Sequence, residues 1–384
     1  MKKVFALVLA VMMVMGMLAG CGAAGTPSNN KSGVIKVGTS GPLQGDYAVY
    51  GVAVANGLKL AFEEINKLGG LQFEVNAQDD EADSEKAVNA YNTLMDWGMQ
   101  IMAGPTTSGS AAATAAECAN DKVFMLTPSA SDPNVITAGD NVFQICFTDL
   151  NQGKASAQFI KSHNLATKVG VIYDSSSPYS SGIYANFKSE AEALGLEIAV
   201  EADFTADTKG DLTNQVTKCQ QAGCDLVFLP IYTAEAVKVL AVANANGYET
   251  KFFGCDGLDG ILSVENFDTS LAEGVMLLTP FDANASDEKT QNFVKNYTQM
   301  FGYAPNQFAA DAYDVGYFIY QACVNGKITA DMTAAQICEI MIKQITTSSF
   351  DGVTGLGMTW DADGAVSKAP MAVVIENGVY VGVE

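Results

Sequence analysis

Two loops rich in hydroxyl side chains, here called the serine loops (residues 104–109 and 127–132), each follow a short apolar run that predicts a β-strand. Ser108 lies in the first loop, and Ser129 and Ser131 lie in the second. Parallel strands end at the same edge of a sheet, and a helix that begins there presents free N–H groups. These groups and the helix dipole attract an anion without any cationic side chain, so the pattern predicts a site for a ligand carboxylate.

Each of these serines also has a simpler explanation. Serine is a preferred N-cap residue, and a helix is predicted to begin close to Ser108. Ser129 and Ser131 lie beside Pro128 and Pro133, which favour a turn after the strand. The sequence therefore leaves open whether these side chains bind a ligand, shape the loops, or do both.

The composition excludes several kinds of chemistry. The chain contains 21 lysines, no arginine and a single histidine, His163, so arginine clamps and histidine-based catalysis or metal binding are not expected. No phosphate-binding or nucleophile motif follows a predicted strand, which argues against an enzyme and against a cofactor. The formal net charge of −22 makes nucleic acid an unfavourable partner. Because the serine loops contain no lysine, a carboxylate there must be bound by hydroxyl and amide groups.

The first residues have the pattern of an export signal rather than of a folded domain. Lys2 and Lys3 precede an apolar run over residues 4–18, and the run ends in Leu-Ala-Gly before Cys21. This sequence is similar to a bacterial lipobox, which predicts a lipoprotein signal peptide over residues 1–20 and a lipid anchor on Cys21. An ordinary secretory signal is the alternative. The small and polar residues of 21–33 predict a flexible tether.

From residue 34 onwards, short apolar runs alternate with amphipathic stretches, which is typical of α/β folds with doubly wound parallel sheets. The alternation restarts near residue 150, so we predict two lobes. The last third is predicted to return to the first lobe, and a final strand pair is predicted between residues 358–360 and 372–381.

Among the seven cysteines after Cys21, Cys219 and Cys224 could form a disulfide, and the alternative is that the cysteines are small buried apolar residues.

Six short motifs together carry a resemblance to a known family. They are Ser40-Gly41-Pro42-Leu43, Asn66-Lys67-Leu68-Gly69-Gly70, Asp79-Asp80, Gly104-Pro105, Thr127-Pro128-Ser129-Ala130-Ser131 and Gly254-Cys255-Asp256-Gly257. In this order and spacing the chain resembles the extracellular solute-binding proteins of ABC transporters, specifically the leucine/isoleucine/valine-binding family with a type I periplasmic binding protein fold. The resemblance implies two lobes joined by three crossover segments, with residues 34–149 and 279–356 in lobe 1 and residues 150–278 and 357–384 in lobe 2.

The resemblance also implies a binding site in the cleft between the lobes. The positions that match the family's carboxylate site are Ser108, Ser129 and Ser131, and Ser129 would also offer its backbone carbonyl to the ligand's ammonium group. Asp256 matches the acidic residue that binds the ammonium group, although the family usually has a glutamate there. A disulfide found in some members is absent, because Ala82 and Thr107 occupy its positions.

Three tyrosines match family positions that line the pocket for the ligand's side chain, namely Tyr50, Tyr179 and Tyr232. The sequence thus predicts a monomeric, extracytoplasmic lipoprotein that binds an amino acid, branched-chain or otherwise apolar, and delivers it to an ABC permease. The alternatives keep the fold but change the ligand to an amide, urea, a short peptide or an aromatic acid, or change the role to that of a ligand sensor.

Overall fold

The computed structural model describes residues 33–383. The predicted signal peptide, Cys21 and the tether up to residue 32 lie outside the described residues. Within residues 33–383, no helix has both the length and the apolar character that crossing a membrane requires.

Five parallel strands form the first sheet. They are β1 (Val34–Gly41), β2 (Gln72–Asp79), β3 (Ile101–Met102), β4 (Phe124–Thr127) and β5 (Val142–Gln144), in the spatial order β2-β1-β3-β4-β5. Every residue of β3, β4 and β5 is buried. This is the pattern expected of parallel strands covered by helices on both faces.

Seven strands form the second sheet. They are β6 (Val169–Asp174), β7 (Ile198–Phe204), β8 (Leu226–Leu229), β9 (Lys251–Gly254), β10 (Met276–Thr279), β11 (Met371–Glu376) and β12 (Val379–Val383), in the spatial order β12-β11-β10-β9-β8-β6-β7. Strands β6 to β10 are parallel to one another, whereas β11 is antiparallel to both β10 and β12. The predicted α/β fold with two mainly parallel sheets is confirmed.

The predicted pairing of residues 358–360 with residues 372–381 is wrong. Residues 372–381 instead span two strands, β11 and β12, which pair with each other. Asn377 and Gly378 join them and both have positive φ angles, the conformation that a tight two-residue hairpin turn requires. Residues 358–360 form isolated bridges with neighbouring loops.

The helices of the described chain cover both sheets. In chain order they are α1 (Ala48–Lys67), α2 (Ser84–Trp97), α3 (Ser108–Asp121), α4 (Pro133–Ile136), α5 (Asp149–Ser162), α6 (Pro178–Leu194), α7 (Thr213–Ala222), α8 (Thr233–Ala245), α9 (Glu288–Phe301), α10 (Gln307–Gly326) and α11 (Ala334–Thr347). Helices α10 and α11 return to the first sheet, where α10 packs along α1 and α11 packs against β4. The described chain therefore passes between the two sheets three times, after β5, after β10 and after α11. The exact lobe boundaries stay a prediction.

A buried ion pair holds the third crossing. The Lys368 ammonium donates to Asp311 Oδ1 on α10 and to Thr354 Oγ1, both at 2.6 Å. The side chains of Lys368 and Asp311 are each 1% exposed. Burial raises the pKa of Asp311 to about 6, although the positive charge of Lys368 opposes the shift. Separating Lys368 from Asp311 would leave a buried charge without a partner, which is energetically unfavourable. The pair therefore holds the chain around Lys368 against α10.

All seven cysteines of the described chain are free and buried, so the possible disulfide between Cys219 and Cys224 is not formed. Both thiols pack against Gly170 on β6. Burial raises the pKa of the Cys219 thiol to about 12. Such thiols are poor nucleophiles and behave as small apolar side chains.

The packing of α1 on α10 depends on a glycine. A Cβ atom at Gly57 would lie 2.2 Å from the backbone oxygen of Ala309, which is too close for any carbon atom. Either helix would have to shift to admit a methyl group. Gly57 therefore sets the distance between the two long helices that cover the first sheet.

We expect Gly57→Ala to lower the free energy of unfolding by about 1 to 3 kcal/mol, since overpacking a close helix contact forces the backbone apart. Urea denaturation of the soluble domain measures this value. Gly109→Ala in α3 is the matched control, because a Cβ there meets its nearest neighbour at 3.7 Å. The control should be neutral or slightly stabilising, owing to the better helix propensity of alanine. Equal stability of both variants would contradict the close approach.

Candidate functional site

The two serine loops are joined by side-chain hydrogen bonds at the edge of the first sheet. Ser129 Oγ donates to the Thr106 carbonyl oxygen at 2.6 Å, and Thr127 Oγ1 donates to the Pro105 carbonyl oxygen at 2.7 Å. Ser108 Oγ accepts the backbone N–H of Ser131 at 3.2 Å. The two loops therefore lie against each other, as their positions after neighbouring parallel strands predict.

Ser108 is not the N-cap of its helix, so that alternative is wrong. Helix α3 begins at Ser108, and its N-cap is Thr107, whose extended backbone leads into the first turn. The Ser108 hydroxyl points instead to the other serine loop, where it also accepts the N–H of Asp132 at 3.3 Å. Its observed role is to hold the second loop against the start of α3.

Asp256 lies at the opposite side of the cleft, directly after β9. It is 2% exposed, and its Oδ1 accepts the hydroxyl of Tyr179 at 2.7 Å. Burial raises the pKa of Asp256 to about 7, and the hydrogen bond from Tyr179, together with the neighbouring Gln152 side chain, opposes this rise only in part. Burial therefore disfavours the charged form of this carboxyl group, and a nearby cation would favour it.

Aromatic side chains connect the two sides of the cleft, one beside the first sheet and the other beside the second. The rings of Tyr179 and Tyr232 stack with centroids 4.8 Å apart, and the ring of Tyr50 lies 5.1 Å from that of Tyr232. The Tyr50 hydroxyl, carried by α1, donates to the Gly257 carbonyl oxygen at 2.6 Å and accepts the N–H of Thr233 at 2.8 Å. Tyr50 thus connects a helix beside the first sheet to the start of α8 and to the segment after β9, both beside the second sheet.

These residues enclose a single small cavity. Its lining consists of Tyr50, Thr106, Thr107, Ser129, Tyr179, Tyr232, Asp256, Gly257 and Phe308. The cavity has a volume of ≈ 10 Å³, about the space that one water molecule needs. Five of the seven predicted ligand-binding residues line it, whereas Ser108 and Ser131 support the loop that carries Ser129.

Further contacts close the rim of the cleft. The Tyr47 hydroxyl donates to Glu235 Oε1 at 2.7 Å and accepts the ammonium of Lys209 at 2.6 Å. The backbone N–H of Gln307, at the start of α10, donates to the Asp259 carboxylate at 2.8 Å. Each of these bonds joins a residue beside the first sheet to one beside the second.

The family model described as periplasmic binding protein matches residues 34–378. The chain belongs to this family. The resemblance inferred from its sequence motifs is thereby confirmed. Members of the periplasmic binding protein family are solute-binding proteins, and a location outside the cytoplasm is typical of them.

Two curated relatives show the similarity at the level of sequence. The leucine-, isoleucine-, valine-, threonine- and alanine-binding protein of Pseudomonas aeruginosa is 28% identical over 250 residues, 64% of this chain and 66% of that protein. The Leu/Ile/Val-binding protein homolog 3 of Brucella melitensis is 30% identical over 230 residues, 58% of this chain and 61% of that protein. The matched stretches thus span less than two thirds of the length of either relative.

Solved structures show the similarity of fold. The leucine-binding protein LivK of Thermotoga maritima gives a TM-score of 0.82 at 24% identity, covering 91% of this chain and 98% of that one. The branched-chain amino acid substrate-binding protein LivJ of Streptococcus pneumoniae was solved with isoleucine. It gives a TM-score of 0.81 at 27% identity, and the match covers 91% of this chain and 100% of that one. A solute-binding protein of R. palustris in complex with benzoate gives a TM-score of 0.80 at 22% identity, and the match covers 91% of this chain and 96% of that one.

Sequence reasoning missed several residues of the site. Thr106 and Thr107 could have been predicted from the sequence, since they belong to the first serine loop. Phe308 lies on the buried side of α10, and nothing in its local sequence distinguishes it from a core residue. Asp149 ends the first part of the predicted lobe 1; it is 0% exposed, and neither of its carboxylate oxygens has a geometric hydrogen-bond partner among the described residues. Burial raises its pKa well above the ordinary value.

The raised pKa values of the buried carboxyl groups determine how the free energy of unfolding depends on pH. Burial raises the pKa of Asp256 to about 7 and that of Asp259 to about 6. A carboxyl group whose pKa is higher in the folded than in the unfolded protein stabilises the fold below the unfolded pKa, and this contribution is lost as the pH rises through the folded value. We therefore expect the free energy of unfolding of the ligand-free protein to decrease between about pH 4 and about pH 7.

Asp256→Asn should flatten this dependence by up to about 1.4 kcal/mol per pH unit, the value for one proton. The amide keeps the shape and can still accept the Tyr179 hydroxyl. Urea denaturation at a series of pH values measures the slope. The exposed Asp203 provides the control, because Asp203→Asn changes the net charge equally and should leave the slope unchanged. A slope in Asp256→Asn equal to that of the wild type would contradict the burial of an ionisable Asp256.

Proposed function

We propose that this periplasmic binding protein captures an amino acid with an apolar, branched-chain type of side chain and delivers it to an ABC permease. The observation that carries the proposal is the placement of Asp256 and Ser129 in the lining of one cavity, on opposite sides of the cleft. A zwitterion requires an acid at one end and hydrogen-bond donors at the other. Charge-assisted hydrogen bonds at both ends are the strong kind.

The donor end is built from the serine loops. In this proposal, Ser108, Ser131 and the first N–H groups of α3 receive the ligand carboxylate, and the helix dipole adds to their attraction. The hydroxyl of Ser131 is buried and has no partner within the described part of the chain, so it is available to donate. The Ser129 carbonyl would accept from the ammonium group, and Asp256 would neutralise its charge.

The aromatic residues fit an apolar side chain. Tyr179 and Tyr232 present a stacked pair of rings, and Phe308 lies edge-on to Tyr50 at 4.9 Å. Rings supply a large apolar area, while the hydroxyls of Tyr50 and Tyr179 are already occupied by hydrogen bonds to protein groups. A side chain without polar atoms therefore matches this wall better than a polar one.

Loading requires the cleft to open. The present cavity of ≈ 10 Å³ is far smaller than an amino acid, so the walls on the two sides have to separate before a ligand enters. Closure around the ligand would then exclude water and strengthen each polar contact. The rim contacts of Tyr47 and Asp259 would re-form in the closed complex.

The cellular context of the proposal comes from the sequence and the relatives. The lipobox-like sequence before Cys21 supports a lipid-anchored protein outside the cytoplasm. The relatives described as binding leucine, isoleucine and valine support an amino-acid ligand. The LivJ structure, described as the substrate-binding protein of an amino acid transporter, supports a permease partner. We propose a monomer without a cofactor. An enzyme is not proposed, because the site offers neither a nucleophile paired with a base nor a histidine.

An aromatic acid is the second candidate ligand. The stacked tyrosines could hold an aromatic ring, and a protein of the same fold was solved with benzoate. However, a ligand without an ammonium group would leave the buried Asp256 without a cationic partner, at an energetic cost. Amides, urea, short peptides and a sensor role stay as further alternatives for the same cleft.

Titration calorimetry of the soluble domain against the twenty amino acids and benzoate tests the proposal. We expect leucine, isoleucine or valine to bind and benzoate to bind weakly or not at all. Asp256→Ala should weaken amino-acid binding by about 2 to 5 kcal/mol, as expected when a buried charge loses its partner. The exposed control Asp203→Ala should bind as the wild type does. Absence of binding to every amino acid would refute the proposal, and unchanged affinity in Asp256→Ala would remove that residue from the site.

A further inference from the structure

One hydroxyl group on the rim of the cleft lies between a cation and an acid. The Tyr47 hydroxyl accepts the Lys209 ammonium at 2.6 Å and donates to Glu235 Oε1 at 2.7 Å. An ammonium group can only donate, so the direction of both hydrogen bonds is fixed. The ammonium also lies 4.7 Å from the centre of the Tyr47 ring, within the range of a cation–π contact. We call Tyr47, Lys209 and Glu235 the rim cluster.

The members of the rim cluster come from opposite sides of the cleft. Tyr47 ends a short 3₁₀ turn (Gly45–Tyr47) directly before α1, beside the first sheet. Lys209 lies between β7 and α7, and Glu235 lies in the first turn of α8, both beside the second sheet. Lys209 Nζ and Glu235 Oε1 are 3.8 Å apart. Separation of the two sides would therefore withdraw the Tyr47 hydroxyl from both charged groups at once.

Glu235 depends on these partners because its side chain is buried. It is 3% exposed, whereas the side chain of Lys209 is 30% exposed. Burial raises the pKa of Glu235, while the hydrogen bond from Tyr47 and the charges of Lys209 and Lys238 oppose the rise. Hydrogen bonds to charged groups are stronger than those between neutral groups. The Tyr47 hydroxyl is thus a strong donor to a buried carboxylate, supplied from across the cleft.

The rim cluster is built on the same turn of α8 as the wall of the cavity. Tyr232 is the N-cap of α8, and its backbone oxygen accepts the N–H of Glu235 at 3.2 Å. The Tyr47 ring meets the Tyr232 ring edge-on, with centroids 5.4 Å apart. Tyr232 lines the cavity and stacks on Tyr179, whereas Tyr47 is outside the lining. The position of Tyr47 that satisfies Glu235 therefore also places its ring against the cavity wall.

We infer that Tyr47 is a positioning residue for ligand retention, whose hydroxyl holds the cleft closed through Glu235 and whose ring supports Tyr232, without touching the ligand. This inference rests on the proposed amino-acid function. The hydrogen bond to Glu235 forms as the cleft closes, after the ligand has entered. Such a contact slows ligand release and leaves capture unchanged, since the open cleft that receives the ligand lacks it.

The release of radiolabelled leucine from the soluble domain tests this role. A chase with excess unlabelled leucine gives the dissociation rate constant, titration calorimetry gives the dissociation constant, and the two together give the association rate constant. We expect Tyr47→Phe to accelerate release roughly tenfold, the effect of losing one hydrogen bond to a charged group, and to leave the association rate constant unchanged. Urea denaturation establishes that the variant is folded.

Tyr303→Phe is the matched control, because it also removes one tyrosine hydroxyl. The Tyr303 hydroxyl accepts hydrogen bonds from Asn56 on α1 and Tyr297 on α9, both beside the first sheet. These bonds do not cross the cleft, so Tyr303→Phe should release leucine at the rate of the wild type. Equal acceleration in Tyr303→Phe and Tyr47→Phe would overturn the inference.

A double-mutant cycle tests whether the hydroxyl acts through Glu235. If it does, the acceleration of release in Tyr47→Phe/Glu235→Gln should be clearly smaller than the product of the accelerations in the two single variants. An acceleration equal to that product would overturn the inference. So would unchanged release in Tyr47→Phe, or a loss of affinity that arises from slower association.

A measurement without ligand keeps this inference separate from the proposed function. Spin labels on Lys59→Cys of α1 and Lys218→Cys of α7, both exposed positions, report the distance between the two sides by double electron–electron resonance. The seven cysteines of the described chain are buried. We expect Tyr47→Phe to shift this distance distribution to longer values and Tyr303→Phe to leave it unchanged. Failure of the wild type to bind leucine would refute the proposed function, and identical distributions in Tyr47→Phe and the wild type would overturn the role of Tyr47.

Discussion

The burial of carboxyl groups in a chain without arginine is the constraint on which this cleft depends. A buried acid needs a cation or several donors, and the nearby cationic side chain, Lys368, is already held by Asp311. The Asp256 carboxylate accepts a hydrogen bond from the Tyr179 hydroxyl, but burial still raises its pKa to about 7. In the proposed function, the Asp256 end of the cleft would therefore receive a cation, whereas neutral groups at the opposite end would receive an anion.

The sequence could predict those parts of the fold that arise from local patterns. The strand-loop-helix order placed the serine loops at one sheet edge, because parallel strands share an edge. The predicted single strand over residues 372–381 is wrong, because the Asn377-Gly378 turn divides this apolar run into the hairpin of β11 and β12. The capping alternative for Ser108 was wrong, because Thr107 is the N-cap and the helix begins at Ser108. Its predicted role in ligand binding stays a prediction.

The parts of the site that escaped prediction depend on contacts between distant segments. Asp149 follows a capping threonine, and the same pattern is common at exposed helix starts. Its burial results from Gly182, which lets α6 approach, and from the Ser131 loop, which belongs to the first sheet. No local periodicity encodes such a meeting of three segments. The resemblance to a known family was needed for Asp256 as well, because a Gly-Asp-Gly context alone suggests a surface turn.

The anchored Lys368 also limits how the two sheets can turn against each other. Lys368 is tied to α10 beside the first sheet, and β11 of the second sheet begins at Met371. Between them lie Ala369 and Pro370, and the proline ring fixes one of their four main backbone torsions. This connection therefore acts as a short, stiff strap rather than a free linker. It confines any opening of the cleft to a narrow set of directions.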